Sequence, residues 1–167
     1  RQNIFSEIKN KYKKLPKNII FIHSDDPISS YAIIEKSKFC IVYGSTIATE
    51  IASIGKNVLI GGESWIKNKN ISYDPTSKAQ YFKFIDQLLI NSEMNDYTFI
   101  RAKKYAYHFF FRRMIPINLI EVRDAKYEDF IINKSSISKI FPKGNSDKGI
   151  NTICEGILNN KSFTYDA

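Results

Sequence analysis

Residues 39–62, FCIVYGSTIATEIASIGKNVLIGG, decide the fold of this chain. Apolar and β-branched residues at 39–43 and at 57–60 predict two buried strands. Between them, Gly44 permits a sharp turn, and Ser45 or Thr46 can cap a helix that Gly55 would end. Helical spacing puts these apolar residues on one side of that helix: Ile47, Ala48, Ile51, Ala52 and Ile54. Two apolar strands joined through a helix predict an α/β fold with parallel pairing and a right-handed crossover.

The amino end of that helix also predicts an anion site. The first amides of a helix lack partners inside it, and its macrodipole is positive there, so phosphate or carboxylate can bind. Ser45 and Thr46 would add hydroxyl donors, and Glu50 lies one turn along on the Thr46 face, where it could accept hydrogen bonds from ribose hydroxyls. The same residues also fit an ordinary helix cap beside a solvated glutamate.

Composition and charge narrow the class of protein. The chain has 167 residues, 43% of them hydrophobic, and a net charge of +8, so we expect one globular domain over residues 1–167. The charge suits polyanions, anionic membrane surfaces or phosphorylated substrates. The two cysteines, Cys40 and Cys154, predict buried reduced thiols, and without a Cys/His cluster they give no support for a metal site.

The remaining periodic segments place further elements around this unit. We predict a strand at 18–23 with the turn SDDP at its carboxyl end, then a helix over 30–36 capped by Ser29 or Ser30. Amphipathic helices are predicted at 2–14, 77–91 and 96–114, and a closing helix at 150–158. Segments 118–122 and 129–134 fit either short strands or loops, and the tail 161–167 fits a frayed end or contact with a neighbouring domain.

Several side chains outside the central unit are candidates for ligand contact. Trp65 and Tyr73, in the polar loop after 57–60, could stack on a base or sugar, or could anchor the loop. The helix 96–114 carries a basic stripe of Arg101, Lys104, His108 and Arg112 opposite its apolar face. That stripe fits a solvated face, or contact with an anionic bilayer or an acidic glycan.

The residues now described resemble a known family, the bacterial capsule and surface-polysaccharide biosynthesis proteins, which are GT-B-type glycosyltransferases. The likeness rests on the segment SYAII, on Gly44-Ser45-Thr46 followed by Glu50, and on GKNVL after that helix. It extends to FFFRRMIP and covers residues 18–116. Asn57 stands where the family usually has proline, and the family's His-Pro segment would lie before Arg1.

The resemblance implies the C-terminal, donor-binding half of such an enzyme: a Rossmann-like three-layer domain with a mainly parallel sheet and a helical C-terminal part. Gly44, Ser45 and Thr46 would meet the donor phosphate without a metal or cofactor, while Glu50, Ser30 and Gly62 would contact the nucleotide. The implied partners are a nucleotide-sugar donor, a glycan or lipid-linked acceptor and an N-terminal acceptor domain before Arg1. The implied location is the cytoplasm, with peripheral contact to the inner membrane as one option.

The catalytic base stays unassigned. Asp25, Asp26 and His23 are weak candidates at the rim, since Asp-Asp-Pro is also ordinary turn chemistry and His23 also fits a structural role. We expect the 167 residues alone to be inactive. Gly61-Gly62 could allow close approach by a ligand or only a turn.

Three other functions compete with sugar transfer. A GT-B-shaped nucleotide-sugar epimerase would use a similar Ser/Glu helix, and a non-catalytic binding module would keep the fold alone. A basic protein that binds nucleic acid or a membrane surface is disfavoured because the lysines form no cluster with interleaved aromatic residues. A Rossmann dinucleotide site is disfavoured separately, because no GxGxxG follows the first strand.

Overall fold

The computed structural model describes residues 4–12, 14–117, 120–124, 129–132 and 147–166. They form two compact units, Arg1–Ser37 and Lys38–Ala167. The elements in chain order are α1 (Ile4–Lys11), α2 (Ser30–Lys36), β1 (Cys40–Val42), α3 (Ile47–Ser53), β2 (Val58–Ile60), α4 (Lys78–Ile90), α5 (Asp96–Tyr107), a π-helical turn (His108–Arg113), β3 (Ile120–Asp124), β4 (Asp129–Ile132) and α6 (Lys148–Asn159). The α/β class is confirmed, and the single domain over residues 1–167 stays a prediction.

The first unit differs from its prediction in one element. Residues 18–23 were predicted as a buried strand, but they are exposed, and no strand among the described residues pairs with them. Ile20, for example, is 85% exposed. An extended segment gains the stability of a strand only from a hydrogen-bonded neighbour. Here Phe21 stacks instead on Phe5 of α1, with the ring centroids 4.4 Å apart.

In the second unit, residues 39–62 form the predicted strand–helix–strand unit. β1 and β2 pair in parallel, with Cys40 opposite Val58, Ile41 opposite Leu59 and Val42 opposite Ile60. α3 connects them, and Gly55 follows it with φ of +85°, the left-handed conformation that glycine adopts at low cost. Two side chains differ from the predicted apolar side of this helix. Ile54 was assigned to that side but is exposed, whereas Thr49 was not assigned to it but is buried.

The core lies around β2. All three β2 residues are buried, together with Ile66, Ile71 and Leu88. On the edge of β2 that faces away from β1, Tyr73 forms a single parallel bridge to Leu59, with Tyr73 N–H donating to the Val58 carbonyl at 2.9 Å. The Tyr73 ring packs edge-on against Phe84 of α4 at 5.2 Å. Tyr73 therefore anchors the loop, one of the two roles that the sequence left open.

Side-chain caps start the long helices. Ser77 Oγ accepts the Gln80 amide at 3.2 Å at the start of α4, and Asn95 Oδ1 accepts the Thr98 amide at 2.8 Å at the start of α5. Such caps satisfy amides that have no partner within a helix. α5 packs against α3 and continues into the π-helical turn.

The end of the chain is held against that turn. Tyr165 N–H donates to the Arg112 carbonyl at 2.7 Å, and the Arg112 guanidinium pairs with Asp166 at 2.8 Å. The sequence left two alternatives for this tail, a frayed end or contact with a neighbouring domain. The described tail is not frayed, because it bonds to the π-helical turn. Cys154 of α6 is exposed, and Cys40 of β1 is half-buried. The prediction of two buried thiols is therefore wrong for Cys154. β3 and β4 pair antiparallel, with a bulge between Val122 and Asp124.

Candidate functional site

A pocket of about 350 Å³ opens where β1 and β2 end. Five residues line it: Gly44, Thr46, Glu63, Ser64 and Trp65. Two come from the turn between β1 and α3, and three from the loop that follows β2. Because parallel strands bring their carboxyl ends to one edge of the sheet, ligand sites in open α/β folds usually lie at this edge.

Two glycines let these loops approach each other. A Cβ atom at Gly44 would lie 2.5 Å from the Glu63 carbonyl oxygen. A Cβ atom at Gly62 would lie 2.7 Å from the Tyr43 carbonyl oxygen and 2.9 Å from the Tyr43 ring. The space beside Gly62 is thus filled by Tyr43. Gly62 shapes the pocket wall by allowing this contact, and the structure does not place it among the lining residues.

The hydroxyls at the start of α3 have different surroundings. Ser45 Oγ accepts the Ile47 amide at 3.4 Å, so Ser45 acts as a local cap. Thr46 makes no side-chain cap hydrogen bond, and it lines the pocket. Of the two hydroxyl-bearing residues predicted to meet a ligand, Thr46 is therefore the one that lines the pocket.

The acidic residue that lines this pocket is Glu63, which the sequence analysis did not single out and whose side chain is 90% exposed. Glu50 is half-buried one turn along α3 and is not a lining residue. Glu63 pairs with Lys67 at 2.8 Å, and Lys67 also donates to the Gly62 carbonyl at 3.4 Å. The lysine partly neutralises a carboxylate that would otherwise repel a bound anion.

Ser64 lines the pocket and also carries an unsatisfied polar atom. Its Oγ is fully buried and has no hydrogen-bond partner among the described residues. Buried hydroxyls normally have a partner, because leaving one without costs free energy. Because this oxygen has almost no accessible surface, a ligand or a water molecule would reach it only if the loop after β2 moved.

Trp65 is held at the pocket mouth by α5. Its side chain is 60% exposed, but its carbonyl accepts a hydrogen bond from the Tyr105 hydroxyl at 2.6 Å. Its ring also lies 6.0 Å from that of Phe109, which stacks on Tyr105 at 6.1 Å. The backbone of Trp65 is therefore fixed while its ring stays accessible.

The second attachment of this loop is Arg101, whose Nε donates to the Lys69 carbonyl at 2.7 Å. Together with Tyr105, Arg101 fastens the loop to α5 at two points. Two of the four members of the predicted basic stripe thus also bond to the protein, Arg101 while it stays exposed and Arg112 through its pair with Asp166. His108, a third member, is half-buried.

Burial raises the pKa of the Tyr105 hydroxyl above its usual value of 10.0, and the charge of Arg113 opposes this in part. Since the raised pKa belongs to the folded state, stability is fully present below pH 10 and is lost as the pH rises through the folded-state value. We expect Tyr105→Phe to lose about 1 kcal/mol near pH 8, because the hydrogen bond to Trp65 is removed. Urea denaturation at pH 8 and above pH 10 measures both effects.

The Tyr105→Phe difference should shrink above pH 10, where the wild-type hydroxyl begins to ionise. Tyr107→Phe is the control, because Tyr107 is an exposed tyrosine on the same helix. A loss of stability equal in the two variants, or one that grows in alkali, would contradict the proposed contact.

The remaining predicted site residues lie in the first unit. Asp26 Oδ2 accepts the backbone N–H of His23 at 2.7 Å, so Asp26 stabilises a turn, as Asp commonly does. His23 Nδ1 lies 3.4 Å from Asp25, in an exposed pair. Ser30 is exposed and begins α2. The turn role of Asp26 agrees with the structural alternative, and any catalytic role for these residues stays a prediction.

Sequence reasoning located the pocket but missed two of its side chains. Glu63 and Ser64 follow directly after Gly62, and their place beyond a buried parallel strand was the signal that could have identified them. Tyr105 carried no such signal, because it is separated from Trp65 by 40 residues. In the described residues no group of three or more His, Cys, Asp or Glu is placed to hold a metal ion.

No helix in the described part of the chain has both the length and the apolar character needed to cross a bilayer. Comparison with protein-family models, curated proteins and solved structures finds no significant match.

Proposed function

We propose that this chain is the donor-binding domain of a nucleotide-sugar-dependent glycosyltransferase of bacterial surface-polysaccharide biosynthesis, with a Rossmann-like, GT-B-type architecture. The observation that carries the proposal is the pocket at the carboxyl ends of β1 and β2. Its place in a parallel β–α–β unit is the usual position of nucleotide sites in this fold class.

Trp65 supplies a surface for the nucleotide base. Aromatic rings bind bases by stacking, and each stacked base contributes roughly 1–3 kcal/mol. Because Tyr105 already holds the Trp65 backbone at 2.6 Å, little ordering is needed when the ligand binds, and a preorganised contact gives higher affinity.

Phosphate would bind at the Thr46 side of the pocket. The amino end of α3 and the Thr46 hydroxyl offer donors there. Glu63 then suits the ribose, whose hydroxyls can donate to its carboxylate while Lys67 offsets the negative charge. In this arrangement Glu63 takes the role that the sequence analysis gave to Glu50.

The pocket favours binding over chemistry by the described residues alone. Glu63 is the one ionisable side chain among its five lining residues, so these residues contain no acid–base pair. Thr46 and the helix end could stabilise the charge that develops on the leaving phosphate during sugar transfer. We therefore propose that a further domain binds the acceptor and supplies the catalytic base, and that these residues alone do not turn over substrate.

Calorimetric titration with CMP, UDP and GDP tests the proposal. Trp65 is the only tryptophan, so quenching of its fluorescence reports stacking at this site in the same samples. We expect one nucleotide to bind, and Trp65→Ala to weaken it at least about fivefold, since stacking contributes roughly 1–3 kcal/mol. Thr46→Val and Glu63→Gln should also weaken binding.

Ser45→Ala and Glu50→Gln are matched controls, since neither residue lines the pocket. Their affinities should stay close to that of the wild type. If the folded protein binds none of the three nucleotides, or if Glu50→Gln abolishes binding while Glu63→Gln does not, the proposed site is wrong.

A further inference from the structure

The outward face of α5 and its π-helical turn carries exposed apolar side chains. They recur at spacings of three, four and seven residues and run the length of the segment: Tyr97, Ile100, Tyr107, Phe111 and Met114, each at least half exposed. Lys104 occupies the intermediate position of the stripe and is also exposed. We call these six residues the outer stripe.

The outer stripe lies opposite the buried face of the same helix. Ala102, Ala106 and Phe109 are buried, which sets the inward direction of α5 and leaves the stripe pointing away from the core. Tyr107 and Phe111 stack on each other at 5.6 Å. Two aromatic rings packed together in solvent are unusual for a surface without a partner, and apolar residues gathered in one patch mark interaction surfaces.

The charge around the stripe is positive. Residues 96–113 carry five basic side chains and one carboxylate, Asp96. Arg101 and Arg112 bond to the protein, but Lys103, Lys104 and Arg113 are exposed. An exposed aromatic and aliphatic stripe with lysine and arginine beside it is the composition of helices that lie in the interface of an anionic bilayer.

We propose that the outer stripe docks this chain on an anionic lipid surface. Its apolar side chains enter the boundary between headgroups and acyl chains, where tyrosine and other aromatic residues are favoured. Lys104, within the stripe, contacts lipid phosphates. A bilayer fits better than a nucleic acid, because Ile100 and Met114 gain nothing from phosphate contact but gain from leaving water. The net charge of +8 draws the whole chain toward such a surface.

This inference does not depend on the pocket. The stripe and the pocket use different residues, so loss of nucleotide binding leaves the lipid prediction intact, and the reverse also holds. If both are correct, the chain would bind its donor while seated on a membrane, where a lipid-linked acceptor is accessible.

Co-sedimentation with phosphatidylglycerol-containing vesicles tests the proposal against neutral phosphatidylcholine vesicles. We expect binding to the anionic vesicles that falls as salt rises. The double substitution Tyr107→Ser with Phe111→Ser should weaken partitioning at least about tenfold, because two aromatic side chains no longer insert. Lys104→Glu should weaken it about 25-fold, since the reversal removes one favourable charge and adds one unfavourable charge, each contributing roughly fivefold.

Matched controls come from α4. Phe82 and Lys83 are exposed there, so Phe82→Ser and Lys83→Glu remove one aromatic ring and one cation from another helix. Both should bind vesicles within about twofold of the wild type, and circular dichroism confirms that every variant folds. Equal losses at the α4 controls would overturn the proposal, as would equal binding to neutral vesicles. So would a dimer in sedimentation velocity that the double substitution dissociates while vesicle binding stays unchanged.

Discussion

Replacing Gly149 by alanine is expected to destabilise the second unit by about 3 kcal/mol, the upper part of the range for inserting atoms into a packed site. A Cβ atom there would overlap the Pro116 carbonyl oxygen and lie 3.2 Å from Asp147 Oδ1. Asp147 is itself buried, and its carboxylate accepts the Gly149 amide at 2.8 Å. The backbone at Pro116 and the cap of α6 would both have to move.

Gly156→Ala is the matched control in the same helix. A Cβ atom at Gly156 would lie 2.6 Å from the Phe163 ring, but Phe163 is half exposed and its side chain can move. Alanine also favours a helix interior by up to about 1 kcal/mol over glycine, so we expect a net change near zero. Urea denaturation compares the two midpoints. Equal stability of Gly149→Ala and Gly156→Ala would show that α6 does not dock on Pro116.

The second large effect is expected at Leu59. This side chain is fully buried in β2, between β1 and the bridge to Tyr73. Leu59→Ala removes buried methyl groups and leaves a cavity, and substitutions of this kind cost 2–5 kcal/mol. We expect a loss of about 3 kcal/mol, because rigid backbone on both edges of β2 restricts collapse into the space.

Ile41→Ala tests whether burial, rather than strand position, sets the size of the effect. Ile41 pairs with Leu59 in register but is 48% exposed. Its truncation should cost less than half as much in urea or thermal denaturation. Similar losses at both positions would mean that β1 is covered in solution by something other than the described residues.

Local signals predicted much of the backbone correctly. Apolar runs marked β1 and β2, and Gly55 marked the end of α3. The predicted helix starts at residue 77 and at residue 96 match those of α4, which Ser77 caps, and α5, which begins at Asp96. Each of these signals acts over a few residues, because helix caps and left-handed glycines are interactions between near neighbours. Residues 18–23 also carried a strand signal, and it failed since none of the strands that the structure describes pairs with them.

The candidate site likewise has one part that local sequence predicted and another that it did not. The turn at Gly44 and Thr46 was predictable, because both residues lie within the β1–α3 connection. The sequence did not predict that Glu63, rather than Glu50, lines the pocket. Both residues follow a buried strand, and only the packing of the loop after β2 brings Glu63 to the pocket. The exposure of the outer stripe likewise depends on which face of α5 meets α3.

By itself the sequence determined the α/β class, the parallel β1–α3–β2 unit and most helix boundaries, because periodicity and capping act along neighbouring stretches of chain. Only the tertiary structure decided that Trp65 stands accessible at the pocket mouth, that Arg101 and Arg112 are engaged, and that the chain end lies on the π-helical turn. Those contacts join residues 32 to 54 positions apart. Their partners are selected by how whole elements pack, which local pattern does not encode.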